Sequence, residues 1–73
     1  MTLYITNNKY YFNSLDNAIE KAKEIVRHYN DNYKRIIDEE WKITQGKNGG
    51  YCVKLVNVKY YNQVIIKTVK TED

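Results

Sequence analysis

The chain opens with apolar and polar residues that alternate on both sides of an Asn-Asn pair, in the stretch "TLYITNNKYYF". Such alternation predicts β-strands, and asparagine tolerates the positive φ that a two-residue hairpin turn requires. With Asn7-Asn8 as the turn, Tyr4 pairs with Tyr11 on one face of the hairpin. The residues that share the other face are then Leu3, Ile5, Tyr10 and Phe12.

After this hairpin the apolar residues recur at every third or fourth position, which is typical of an amphipathic helix. They are Leu15, Ala18, Ile19, Ala22, Ile25, Val26, Tyr29, Tyr33, Ile36 and Ile37. Ser14 is a suitable N-cap, and Asp16 lies in the first turn, where the helix dipole favours an acid. We therefore expect one long helix from about Ser14 to Asp38. Its weak point is Asn30-Asp31-Asn32, where three poor helix formers can kink or split it.

The remainder predicts three strands, near Trp41–Thr44, Tyr51–Val56 and Val64–Val69, because apolar and polar residues alternate there. Gly46–Gly50, "GKNGG", reads as a hairpin loop, since it lacks the spacing of a phosphate-binding loop and opens no helix. The predicted order is ββαβββ. This is a single α+β domain over residues 1–73, with one helix packed on an antiparallel sheet.

The last two strands carry apolar residues on both sides, which a sheet with one solvated face should not. If Val64 and Ile66 face the helix, then Ile65 and Val69 point away from it. Two explanations remain open at this stage. A bulge could reset the register, or a partner could cover the second face.

Charge is distributed unevenly, although the net charge is only +3. Residues 14–40 hold seven acids and five bases, whereas residues 41–71 hold six lysines and no acid. The N-terminus does not resemble a signal peptide, and no apolar run is long enough for a membrane span. With Cys52 as the single cysteine, these features favour a cytoplasmic protein that does not bind membranes.

Little catalytic chemistry is present in the sequence. His28 and Cys52 read as a partly buried helix residue and a small packing residue. Asp38-Glu39-Glu40 has no calcium-loop pattern and reads as a solvated turn. We therefore expect no enzyme, no cofactor and no metal site.

The repeated phrases "NKYYFN" and "VKYYNQ" suggest basic, tyrosine-rich surfaces. The first phrase is explained by pairing within the hairpin. The second phrase is predicted to lie in a turn, where two adjacent tyrosines are unusual. Tyrosine is enriched at recognition surfaces. The candidate partner-binding residues are Tyr4, Tyr11, Lys42, Lys54, Lys59, Tyr60, Tyr61 and Lys67.

Size and composition favour a small protein-binding module, an inhibitor or adaptor that occupies a partner's surface. A phage or mobile-element protein that blocks a host defence nuclease is one class of this kind. The alternative is a nucleic-acid-binding domain that uses the basic, tyrosine-rich sheet. Against it, only two of the twelve basic residues are arginine, the usual bidentate reader of bases and phosphates. A homodimer joined through strands or the second sheet face is compatible with either function.

Overall fold

A computed structural model of the chain describes residues 1–30 and 39–71. The elements in chain order are β1 (Thr2–Thr6), β2 (Tyr10–Phe12), α1 (Leu15–Tyr29), β3 (Trp41–Gln45), β4 (Tyr51–Leu55) and β5 (Gln63–Lys70). The strands form one sheet in the order β2-β1-β5-β4-β3, and every neighbouring pair is antiparallel. The helix packs on one face of this sheet. The predicted α+β class and the ββαβββ order are confirmed.

Helix α1 begins where the sequence predicts and ends earlier than expected. The Ser14 hydroxyl oxygen accepts a hydrogen bond from the backbone N–H of Asn17 at 3.4 Å, as an N-cap does. The helix ends at Tyr29, and Asn30 is its C-cap, at the start of the Asn-Asp-Asn run. The rest of the predicted helix, residues 31–38, lies outside the described residues.

The core lies between α1 and the strands β4 and β5. Ala18, Ala22 and Val26 recur every four residues and are fully buried. The small alanine side chains let the helix approach the sheet closely. They pack in one cluster with the sheet residues Val53, Leu55, Val64 and Ile66. This burial is the main favourable term that holds the helix to the sheet.

The register of the first hairpin differs from the prediction by one residue. Thr6 pairs with Tyr10 and Tyr4 pairs with Phe12, so the loop holds Lys9 in addition to the two asparagines. Both asparagines adopt positive φ, as expected. Tyr10 faces inward and Tyr11 outward, as predicted. However, the predicted Tyr4–Tyr11 pair is wrong, because a one-residue slip moves every side chain of a strand to the other face.

The slip places Leu3 and Ile5 on the face away from the helix. Buried Thr6 fixes this orientation, because it pairs with Ile66 on β5 and its hydroxyl donates to the Ala18 carbonyl of α1 at 3.0 Å. An inward Ile5 would turn Thr6 outward and break that bond. A buried hydroxyl needs a partner, so β1 is held with Thr6 inside.

No bulge interrupts β5. It pairs continuously with β1 from Lys70 to Ile66 and with β4 from Ile66 to Gln63. Ile65 and Val69 therefore lie on the side of the sheet opposite α1, where they are 49% and 39% exposed. Of the two explanations for apolar residues on both sides, the bulge is excluded.

Candidate interaction surface

The side of the sheet opposite α1, the outer face, carries an apolar patch that no described element covers. Residues directly opposite each other in antiparallel strands share a face, and alternate residues along a strand do likewise. The buried residues Val53, Val64 and Ile66 mark the helix side. The apolar residues of the outer face are then Leu3, Ile5, Tyr11, Cys52, Ile65 and Val69. A contiguous exposed patch of this kind is typical of an interaction site.

Among the described strands, the charged side chains of the outer face are Lys42, Lys54 and Lys67. No residue of the five described strands is acidic. Lys42 and Lys54 lie directly opposite each other on β3 and β4. Like charges in such a pair destabilise a sheet. The charges of these two lysines therefore do not stabilise the sheet, and they can bind an anionic group of another molecule.

The surface acids of α1 lie on the other side of the molecule. Glu20 and Glu24 are exposed and pair with Lys23 at 3.7 Å and with Lys21 at 3.2 Å on the same helix. The two sides of the molecule thus differ in charge. The surface of α1 carries charges of both signs, whereas the charged side chains of the described outer face are all lysines.

Near its centre the outer face has a groove of about 570 Å³ beside Gly50. Its apolar walls are Ile65 and Val69, and Lys67 is its one charged lining residue. Gly50 lines the groove just before β4 begins at Tyr51. A Cβ at Gly50 would lie 2.9 Å from the backbone oxygen of Ile66, which is too close. Gly50 therefore lines the groove with its backbone alone.

The loop that borders this groove is held by four hydrogen bonds. Gly46 and Gly50 are joined by an N–H···O bond of 2.8 Å, and Gly49 donates back to Gly46 at 3.1 Å. The Thr68 hydroxyl donates to the Gly49 carbonyl at 2.7 Å, and Asn48 Oδ1 accepts from Gly50 N–H at 3.1 Å. Gly46–Gly50 is thus a hairpin loop, as predicted.

The structure separates the eight predicted partner-binding residues into three groups. Tyr11, Lys42, Lys54 and Lys67 share the outer face, where Tyr11 is 65% exposed. Tyr4 lies on the helix side, where it packs against the core with its ring centroid 6.5 Å from that of Tyr51. It therefore does not belong to the outer face. Its predicted position rested on the wrong hairpin register.

The third group, Lys59, Tyr60 and Tyr61, lies in the loop between β4 and β5. Tyr60 and Tyr61 are 66% and 75% exposed. Tyr61 has a φ of 52°, an unusual conformation for a large side chain. Its carbonyl accepts a hydrogen bond from Asn30 at 3.1 Å, and its ring centroid lies 6.1 Å from that of Tyr29. This loop displays its tyrosines at the end of the sheet, beyond Lys54.

Sequence reasoning missed the contribution of Leu3, Ile5 and Gly50 to this surface. Leu3 and Ile5 were expected on the helix side. Gly50 was recognised only as a loop residue. The available signal was the outward position of Ile65 and Val69, which already indicated that the second face is apolar. What was missing was the pairing of β1 with β5, which places Leu3 directly opposite Val69.

His28 and Cys52, the two residues considered for catalytic chemistry, lie on different elements, α1 and β4. His28 is exposed rather than partly buried as expected. The thiol of Cys52 lies 3.5 Å from Gln63 Oε1. Within residues 1–30 and 39–71, no three His, Cys, Asp or Glu side chains are placed to hold a metal ion. The described helix is too short and too polar to cross a membrane.

One ion pair joins α1 to the start of β3. Arg27 donates two hydrogen bonds to Glu39, of 2.7 and 2.8 Å, and Trp41 Nε1 donates a third at 3.3 Å. The hydrogen bond from Arg27 lowers the pKa of the Glu39 carboxyl below its ordinary value and raises that of the Arg27 guanidinium. Glu39 is therefore occupied within the chain. Asp38, its neighbour in the predicted solvated turn, lies outside the described residues.

Comparison of the chain with models of known protein families, with curated proteins and with solved structures gives no match. The geometry and chemistry of the outer face are therefore the basis for assigning a function.

Proposed function

We propose that this chain is a small non-catalytic protein-binding module whose outer face occupies the surface of another protein. The observation that carries the proposal is the exposure of Tyr11, Ile65 and Val69 on one side of the sheet. Burying such a patch against a partner is favourable by about 25 cal/mol per Å² of apolar surface. A domain of this size also has a thin stability margin, which a partner would increase.

The charges of the outer face support a partner whose surface carries carboxylates around an apolar patch. Lys42, Lys54 and Lys67 would each meet such a group. They also disfavour a second copy of this chain stacked on the same face, because two lysine-bearing faces would repel each other. A different protein with acidic residues satisfies both the apolar and the charged parts of the surface.

Protein is favoured over nucleic acid by the type of residue on the central strands. Single-strand binders place aromatic rings on the sheet to stack with bases. Here the outward residues of β1 and β5 include Leu3, Ile5, Ile65 and Val69, which are aliphatic, and the tyrosine of the outer face lies on edge strand β2. Aliphatic side chains contribute hydrophobic contact but offer no ring for base stacking.

An inhibitor or adaptor is the role that fits such a module, because it works by covering a partner's working surface. The same reasoning allows a phage or mobile-element protein that blocks a host defence nuclease. The proposal places the protein in the cytoplasm, where reducing conditions keep the Cys52 thiol free.

Site-specific photo-crosslinking tests this proposal. A benzophenone side chain is introduced at Ile65 on the outer face or, as a matched control, at Glu20 on the exposed side of α1. Each variant is irradiated in a lysate of the source organism. We expect one protein to be crosslinked from position 65 and not from position 20. That protein, once purified, should bind the wild-type chain and the variant Glu20→Lys, but not Ile65→Asp.

Three results would overturn the proposal. The first is crosslinking from position 20 alone, and the second is equal binding by Ile65→Asp and wild type when both are folded by circular dichroism. The third comes from fluorescence anisotropy with labelled single- and double-stranded DNA and RNA. Micromolar binding that falls steeply with salt and is lost in Lys67→Glu would assign the face to nucleic acid instead.

A further inference from the structure

The groove beside Gly50 is present in the chain without a partner, and strands β3, β4 and β5 together with the loop at residues 46–50 line it. The hydrogen bonds that hold residues 46–50 leave this loop little freedom to close the space. Ordering a loop on binding costs affinity, so a groove with fixed walls binds more favourably than one that must form. Its volume of about 570 Å³ can hold a bulky side chain together with adjacent backbone.

Two chemical properties of the groove limit what can fill it. Ile65, Val69 and the Gly50 backbone make the centre apolar, whereas Lys67 places one positive charge among them. No acidic residue lines the groove. Its complement is an apolar side chain with a carboxylate close by.

We propose that this groove is the anchor subsite of the outer face, and that it takes one bulky apolar side chain of an acidic peptide segment of the partner. Lys67 pairs with a carboxylate next to that side chain. The inference rests on the proposed function and makes it more specific, since it names the part of the face that contributes most to binding. Interfaces commonly gain most of their binding energy from a few residues in such central pockets.

Like charge again argues against a second copy as the occupant. A second copy that docked through its own outer face would place Lys42, Lys54 and Lys67 against the same lysines of the first copy. A peptide segment with unpaired carboxylates fits the groove better.

Selection from a library of random short peptides on the purified 73-residue chain tests this inference. We expect the selected peptides to share a bulky apolar residue next to Asp or Glu. Binding of the synthesised peptides is then measured to wild type and to four variants. Cys52→Phe fills the groove, and Thr44→Tyr fills it from the edge strand β3 should Cys52→Phe fail to fold. Lys67→Glu reverses the charge of the groove. Lys9→Glu, in the loop of the first hairpin, is the control.

The expected results follow from the geometry. Each filling variant that folds weakens binding by about tenfold or more, as loss of a central anchor does. Lys67→Glu weakens it by about two- to fivefold at low salt, the range of an exposed ion pair. A peptide with lysine in place of its acid recovers binding to Lys67→Glu. Lys9→Glu leaves binding unchanged.

The variant Tyr11→Asp separates the failure of this inference from that of the proposed function. If peptide binding is lost in Tyr11→Asp but kept in the filling variants, the outer face binds and the groove is not its anchor, which overturns the inference alone. If neither type of variant changes binding, the peptides bind elsewhere, and both proposals fail. A library that yields no specific peptide also overturns the inference.

Discussion

The hydroxyl of Thr6 donates a hydrogen bond to the backbone carbonyl of Ala18 across 3.0 Å, and both residues are fully buried. The bond joins β1 to α1 at the centre of the molecule. Because Thr6 also pairs with Ile66, its inward position determines which side chains of β1 face solvent. The polar contact of Thr6 on the helix side of the sheet thus places Leu3 and Ile5 on the outer face.

Replacing Thr6 with valine should lower the free energy of unfolding by about 0.5–1.5 kcal/mol, the net contribution of a typical hydrogen bond. Valine keeps the shape of threonine and its β-branch but cannot donate. Thr2→Val makes the same exchange at a less buried position of β1 and should change stability less. Urea unfolding followed by circular dichroism measures both. A Thr6→Val protein more stable than wild type would contradict this account.

The elements of this fold could be predicted from sequence, but the register of its first hairpin could not. Ser14, the four-residue spacing of Ala18, Ala22 and Val26, and the alternation around Ile43 are local signals, and the structure confirms each element. The register depends on whether Lys9 belongs to the loop or to the strand. That choice is made by long-range contacts of Thr6 with α1 and β5, which local patterns do not contain.

The same limit applies to the candidate surface. Lys42, Lys54 and Lys67 could be placed on one face because each follows an apolar residue of the opposite face within a single strand. Tyr4 could not, because its face depended on the hairpin register. The groove beside Gly50 could not be predicted either, since residues of β3, β4, β5 and the β3–β4 loop line it together.

The positive φ of Tyr61 predicts how a glycine substitution at this exposed residue changes the stability of the protein. A left-handed conformation costs a non-glycine residue about 1–2 kcal/mol, so Tyr61→Gly should be as stable as wild type or more stable by up to about 1 kcal/mol. Tyr60→Gly is the control, because Tyr60 does not have a positive φ, and it should lose stability. Thermal unfolding compares them. An equal loss in both variants would show that Tyr61 is not strained.

The glycines of the β3–β4 loop should differ in their tolerance of alanine. Gly50→Ala brings a Cβ within 2.9 Å of the Ile66 backbone oxygen and should cost about 1–3 kcal/mol, as overpacking does. At Gly46 the close contact of an added Cβ is with the Asn48 side chain, at 3.2 Å, whereas the Gly50 backbone oxygen lies at an ordinary 3.8 Å, so the cost of Gly46→Ala should be smaller. Chemical unfolding of the two variants measures the difference. Equal stabilities would mean that the backbone at Gly50 shifts easily, and the groove would then not be rigid.

The Arg27–Glu39 pair predicts how stability depends on pH. Because Arg27 lowers the pKa of the Glu39 carboxyl in the folded state, the pair stabilises the protein above the ordinary glutamate value of about 4.3. That contribution is lost as the pH falls through the lower pKa of the folded state. Glu39→Gln removes the charge and keeps an acceptor for Trp41. It should lower stability at neutral pH by about 0.5 kcal/mol, since the pair is largely exposed.

The difference between Glu39→Gln and wild type should therefore disappear in acid, where the carboxyl of the wild type is protonated as well. Trp41, the single tryptophan, reports on this contact through its fluorescence during thermal unfolding at each pH. Glu40→Gln removes the neighbouring exposed charge. Its curve of stability against pH should lie closer to that of wild type than the curve of Glu39→Gln does. If the two variants show the same curve, the net charge of this segment, rather than the contact with Arg27, determines the pH dependence.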